Sequence, residues 1–345
     1  MQVLELEELH LFYSTVFIVS SKIHIPIIDV LRGFAALSVC LFHYVCTTKG
    51  YINDESILSV FNFGARGVQV FFIISGMVIP ISMITLGYKY SSFKVFILKR
   101  FIRIEPPYLV SVAIGVIILY SRNFILPQST ADITPSFRDI LLHIGYLVPF
   151  LDDAKWVNTV YWTLSVEFQY YLYLALIFPL VLNNKMWQRT IFYFLLLLPP
   201  FFVESEAFFF HWSAFFLLGI IYVLWITQKI EKYEYFLVSA FCTLSLAFNN
   251  EMIDLIVGLL TVAIIHFFRN FTFAYGRSLG NISYSLYLLH TLIGGTFVNL
   301  MSHKFTLPYQ KFIVILMGVL ISLTSAAIFY KFIEKPTQQY TKKIK

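Results

Sequence analysis

Apolar blocks of membrane-spanning length recur along almost the whole chain, and the polar segments between them are short. About 20 apolar residues in helical form cross a hydrocarbon core of about 30 Å. Within that core a helix satisfies every backbone N–H and C=O in one segment. The pattern therefore predicts an all-α fold, a polytopic transmembrane helical bundle of about ten spans. These are placed at 27–48, 66–86, 106–121, 160–182, 190–204, 207–226, 235–249, 252–268, 280–301 and 311–333. Several are short for the core and fit it with tilt or a thinned bilayer. The segment 138–150 has the apolar length of a re-entrant or interfacial helix rather than of a span. Residues 1–26 form an N-terminal extension. It opens with Glu5, Glu7 and Glu8 and lacks the basic start and small-residue cleavage site of a signal peptide. The membrane domain fills 27–336, and 337–345 is a basic tail.

Composition agrees. The 345 residues are 59% hydrophobic and only 13% charged, where a soluble domain has about a quarter charged. No sizeable soluble domain fits. The net charge of +6 records orientation and not nucleic-acid affinity. With the N-terminus inside, Lys89, Lys94, Lys99, Arg100 and Arg103 share one cytoplasmic loop. Lys185, Arg189, Lys229, Lys232, Arg269, Arg277 and the tail lysines fall on the same side, and fewer basic residues fall opposite. Both termini are expected in the cytoplasm. Cys40, Cys46 and Cys242 are read as free thiols, and no His or Cys spacing suggests a metal site.

Ionisable side chains inside hydrocarbon are costly, so they mark candidate chemistry. Arg32 and His43, eleven residues apart on one helix, point within about 20° of each other and lie roughly 16 Å apart along its axis. Arg32 falls near the cytoplasmic edge, and His43 about 8 Å below the outer edge. Glu167, on a helix running the other way, lies roughly 10 Å below the outer edge. His43 and Glu167 are thus expected to share one level, where a carboxylate orients a histidine for general-base work. A buried pair that only stabilises the bundle has the same spacing.

Arg100 and Arg103 face one way on a helix. They lie beside Glu105 and the helix breaker Pro106-Pro107, at the membrane level of Arg32. Together the three arginines suit phosphate oxygens, although basic residues beside a span also serve as orientation anchors and lipid contacts. Gly67, Ser75 and Gly76 are small residues that let helices approach. Arg66 sits at the outer mouth as an anchor or an acceptor contact. Ser283, Tyr287 and His290 share a helical face with Tyr284 adjacent, suited to a polar network or a cavity wall.

These motifs together resemble the membrane-bound acyltransferase-3 family, which includes O-antigen and exopolysaccharide O-acetyltransferases. DVLRGFAALSVCLFHY places the family's Arg-x10-His pattern on Arg32 and His43. VFFIISGMVIP resembles its second-span motif, and KRFIRIEPPY carries Arg-x-x-Arg on Arg100 and Arg103. YWTLSVEFQYYLY resembles its Trp-Ser-Leu-x-x-Glu signature, with Thr163 where serine is usual. ISYSLYLLH and FIEKP resemble its late motifs.

The resemblance implies transfer of an acyl group, usually acetyl from cytoplasmic acetyl-CoA, to a hydroxyl of a cell-surface or exported glycan at a bacterial cytoplasmic membrane. His43 is then catalytic base or acyl carrier, with Glu167 orienting it. Arg32, Arg100 and Arg103 bind the CoA phosphates, and Ser75, Tyr284, Tyr287 and His290 line the cavity. Some members carry a soluble hydrolase-like domain after the last span. With only 334–345 left here, the chain is expected to complete transfer alone or to pass acyl groups to a separate partner protein. A transporter or flippase for a solute or lipid-linked sugar uses a similar polar path, but the inverted repeats typical of transporters are not visible.

Overall fold

The computed structural model describes residues 23–125, 134–183 and 185–344, and every regular element among them is helical. Residues 1–22 of the expected extension lie outside the described residues. Helix α1 spans Pro26–Cys46. A proline in the first turn removes an N–H that has no intrahelical acceptor, and Asp29 in that turn suits the helix dipole. The Asp54 carboxylate caps α2 (Glu55–Asn62) by accepting the N–H groups of Ser56 and Ile57. The chain continues through α3 (Gly67–Thr85), α4 (Phe93–Ile125), α5 (Phe137–Leu142), α6 (Trp162–Leu182) and α7 (Met186–Leu197). Then come α8 (Phe209–Ile226), α9 (Lys232–Asn249), α10 (Met252–Phe267), α11 (Ala274–Asn281) and α12 (Ser283–Leu289). A π-helical turn, His290–Gly295, joins α12 to α13 (Thr296–Ser302). A second, Tyr330–Glu334, joins α14 (Pro308–Phe329) to α15 (Lys335–Thr341).

Helices occupy each expected span position, but the expectation of ten full spans is not met in kind. Six stretches among the described residues are long and apolar enough to cross a membrane: Pro26–Cys46, Glu55–Thr85, Tyr90–Arg122, Thr159–Leu182, Phe209–Ile226 and Pro308–Thr341. Met252–Phe267 is apolar but shorter. The expected span 190–204 holds the 12-residue α7, which gives way to a 3-10 turn at Pro199–Phe201 and is too short for that criterion. The span at 280–301 is divided by the π turn at His290.

Pro106 and Pro107 do not break the chain as expected. Helix α4 runs through both for 33 residues. The Tyr284 hydroxyl donates to the Ile104 carbonyl at 2.8 Å. The ambiguous segment 138–150 does not span. It is a one-and-a-half-turn α5, a left-handed turn at Gly145 and Tyr146, and a 3-10 turn at Val148–Phe150. Buried Glu105 on α4 holds that turn by accepting the Gly145 N–H at 3.0 Å, and Tyr146 stacks on Tyr108 at 4.8 Å.

Helix α8 is apolar on all sides, and residues 212–224 are buried without interruption. Such a helix belongs at the centre of a bundle. Its crossing with α3 depends on two glycines. A Cβ at Gly76 would stand 2.2 Å from the Phe216 carbonyl oxygen, and one at Gly219 would stand 2.2 Å from that of Ile73. Backbone contact at this distance admits no side chain. Gly76→Leu should force α3 and α8 apart and cost about 1–3 kcal/mol or more, read as a lowered thermal midpoint of the purified protein in detergent; an unchanged midpoint would refute this close crossing.

Candidate active site

A cavity of about 110 Å³ opens between α1, α3, α4, α6, α12 and the π turn preceding α15. It collects Arg32, Arg100 and Arg103 from two helices, as the sequence suggested. Ser75, Glu167, Tyr284 and Tyr287, all expected near the site, also form its walls. At roughly 10–15 Å³ per water, the space holds several water molecules.

The charges in this cavity are matched unevenly. Glu167 accepts from the Ser75 hydroxyl at 2.8 Å and from the Tyr171 hydroxyl. Glu334 accepts from Ser285 at 2.6 Å and from the Gln338 amide at 2.7 Å. Both carboxylates are thus held by neutral donors. Arg32 and Arg103 make no side-chain hydrogen bond or ion pair among the described residues. Arg100 lays its guanidinium against Phe96 and Tyr171, at 5.3 and 5.9 Å from the ring centres. Three half-buried guanidiniums thus share one cavity with two carboxylates and make no hydrogen bond to them; planar guanidinium donors in this state suit an anion chemically.

His43 stands apart from this cavity. Its expected partner Glu167 is not beside it, and no hydrogen bond joins the two. Depth along two antiparallel helices fixes height but not lateral distance, and α12 enters between them. His43 instead faces His290, with ring centres 5.2 Å apart. His290 is likewise not among the cavity-wall residues, contrary to the expectation from its shared face with Ser283 and Tyr287. Tyr287 connects the two regions. It lines the cavity, bonds Thr163 Oγ1 at 2.7 Å, and its ring lies 5.8 Å from that of His290.

His290 has a defined protonation pattern. Its Nδ1 lies 3.1 Å from the Leu286 carbonyl and 2.9 Å from that of Tyr287. Carbonyls only accept, so Nδ1 carries the hydrogen and Nε2 presents a lone pair in the neutral ring. That Nε2 is fully buried and has no partner. The π turn keeps the ring in place. The Tyr44 hydroxyl lies 2.7 Å from the His290 carbonyl oxygen and also contacts Ser322. A Cβ at Gly294 would stand 2.1 Å from both the Tyr44 and Ser322 hydroxyl oxygens, so the turn requires glycine there.

A model of the acyltransferase domain matches residues 25–331, nearly the whole described chain. The chain belongs to the acyltransferase-3 family. A curated relative, the acyltransferase MdmB of Streptomyces mycarofaciens, is 32% identical over 166 residues, covering 46% of this chain and 40% of that relative. The chain thus aligns with less than half the length of that relative. No solved structure gives a significant match. Family and fold agree, since six stretches of this family member among the described residues are long and apolar enough to cross a membrane.

Two cavity residues were given no site role by the sequence reading. Glu334 is 2% exposed and forms part of the cavity wall, although it follows the expected last span by one residue. Its place in FIEKP, one of the motifs that carry the family resemblance, was the available signal. Tyr171, which bonds Glu167, is one of 22 tyrosines and carried no distinguishing pattern. CoA added to the purified acyltransferase should raise its thermal midpoint. In Arg100→Gln or Arg103→Gln the CoA affinity should fall about tenfold, as expected for a lost charge-assisted contact; equal affinity in both variants would exclude these arginines from the anion site.

Proposed function

We propose that the protein transfers an acyl group, acetyl from acetyl-CoA in the simplest case, to a hydroxyl of a cell-surface or exported glycan. The observation that carries this reading is the set of three guanidiniums that line one small cavity without a hydrogen bond to a carboxylate. A CoA ester has phosphates at one end and a thin pantetheine arm carrying the thioester. The phosphates rest on Arg32, Arg100 and Arg103, and the arm enters past Ser75, Tyr284 and Tyr287. The basic-loop bias puts the arginine end in the cytoplasm, with both termini on that side. The glycan is then met from the other face. The membrane is the cytoplasmic membrane of a bacterium, in keeping with the bacterial relative.

In this account the acceptor oxygen attacks the thioester carbonyl while His43 takes the hydroxyl proton. The C–S bond breaks, and the proton passes to the departing CoA thiolate. His290, with Nδ1 occupied and Nε2 bare, lies beside His43 and stabilises its protonated form. Glu167 no longer serves as the partner of His43. Held by Ser75 and Tyr171, it fixes the cavity wall and limits the positive charge there. Because Tyr287 stands between cavity and histidines, the acyl end must pass its ring to react. The relative's name supports acyl transfer and leaves the acceptor open. The transporter reading has no observation in its favour.

Membranes carrying the wild-type protein should move label from acetyl-labelled CoA into an envelope-glycan fraction. His43→Ala at matched expression should lose about 10²-fold or more of that rate, the range of general-base contributions. Equal labelling by both proteins would remove His43 from the reaction.

A further inference from the structure

A second, larger cavity of about 550 Å³ lies where the N-terminal ends of α3, α6, α8 and α10 meet the C-terminal end of α9. The acyl-transfer reading above assigns it no role. Its walls combine aromatic faces with polar groups. The Trp162 and Trp212 rings stand 5.7 Å apart at 34°. Arg66 donates to Asp254 at 3.2 Å and to Glu251, and the Gln69 amide nitrogen donates to the same Asp254 oxygen at 3.0 Å.

Gln69 is 7% exposed, and its carbonyl oxygen Oε1 is buried with no hydrogen-bond partner. A buried amide oxygen left unpaired costs about 1–3 kcal/mol. It is a vacant acceptor on the wall of a polar cavity, suited to a hydroxyl or amine donor. Three carboxyl-bearing residues, Glu206, Glu251 and Asp254, face one guanidinium, that of Arg66. The wall therefore opposes an anionic ligand and accommodates a cationic one.

This cleft adjoins the smaller cavity. Val68 borders both cavities. Phe72 lines the smaller one and packs on Trp162 and Trp212, with ring centres 6.4 and 5.5 Å apart. The basic-loop bias also places all its loop residues on the face opposite the arginines.

We propose that the cleft is the acceptor site and that it takes a neutral or amine-bearing sugar, excluding sugars that carry carboxylates. The apolar C–H face of a pyranose lies against the indoles, a ring hydroxyl or amine donates to Gln69 Oε1, and the surplus carboxylates select against acid. The assignment rests on the acyl-transfer reading, but binding tests it without any acyl donor.

Tryptophan fluorescence of the purified full-length protein in detergent is followed while maltotriose, chitosan trisaccharide or trigalacturonate is added. Maltotriose and chitosan trisaccharide should change the emission saturably, and trigalacturonate should bind at least about tenfold more weakly. Gln69→Leu should weaken both of the first two sugars. Glu206 is exposed, so Glu206→Gln leaves the fold intact; it should weaken the chitosan trisaccharide about fivefold and leave maltotriose unchanged. No saturable change with any sugar, equal binding of trigalacturonate, or wild-type affinities in both variants would overturn the proposal. Glycan labelling that persists in both variants with an unaltered acceptor KM would also overturn it while leaving the acyl-transfer reading standing. Sugar binding in a protein that transfers no label would sustain the cleft and sink the transfer reading.

Discussion

Guanidinium groups held among apolar helices without anions to meet them set the terms for the rest of this molecule. Removing such a charge from water is costly, and evolution retains it where a ligand completes the balance. Arg32, Arg100 and Arg103 reach one cavity, yet the two carboxylates nearby are occupied by Ser75, Tyr171, Ser285 and Gln338. A bundle built only for stability would have closed these ion pairs internally. Here neutral donors hold the carboxylates in place, and the cationic groups stay available. The unbroken α4 carries Arg100 and Arg103 on one helix, and the second π turn places Glu334 in the same cavity wall.

The histidines obey a different constraint. His290 is buried with one ring nitrogen committed to backbone carbonyls and the other bare, and it faces His43. The committed nitrogen removes the tautomer ambiguity that makes most histidines hard to assign. The geometry separates an arginine-lined cavity from a pair of facing histidines, with Tyr287 between them. Such a division suits a reaction whose donor is large and charged but whose reacting atom sits at the tip of a thin arm.

Much of this was legible in the sequence. Apolar block lengths located the long helices, though not the short α2, α11 and α15, and Arg32, Arg100 and Arg103 were grouped from spacing and charge alone. The partnership of His43 was not legible. Helical rise gives height within the membrane, but the lateral arrangement of helices depends on packing among many side chains. Glu167 and His43 share an expected height and yet belong to different sides of Tyr287. The π turn at His290 was equally hidden, since it arises from Tyr44, Ser322 and Gly294 meeting from three distant parts of the chain. The continuity of α4 through Pro106-Pro107 was hidden as well, since local propensity marks such a pair as a helix break.

The central claim is that one bundle takes its acyl donor from one face and delivers the acyl group at the other. Sealed vesicles of uniform orientation test it directly. Labelled acetyl-CoA is confined to the face bearing the C-terminal tail, and the glycan acceptor to the opposite face. Label appearing on the glycan across the sealed membrane, with none when the two compartments are exchanged, is the predicted result. Transfer only when donor and acceptor share one face would contradict the account.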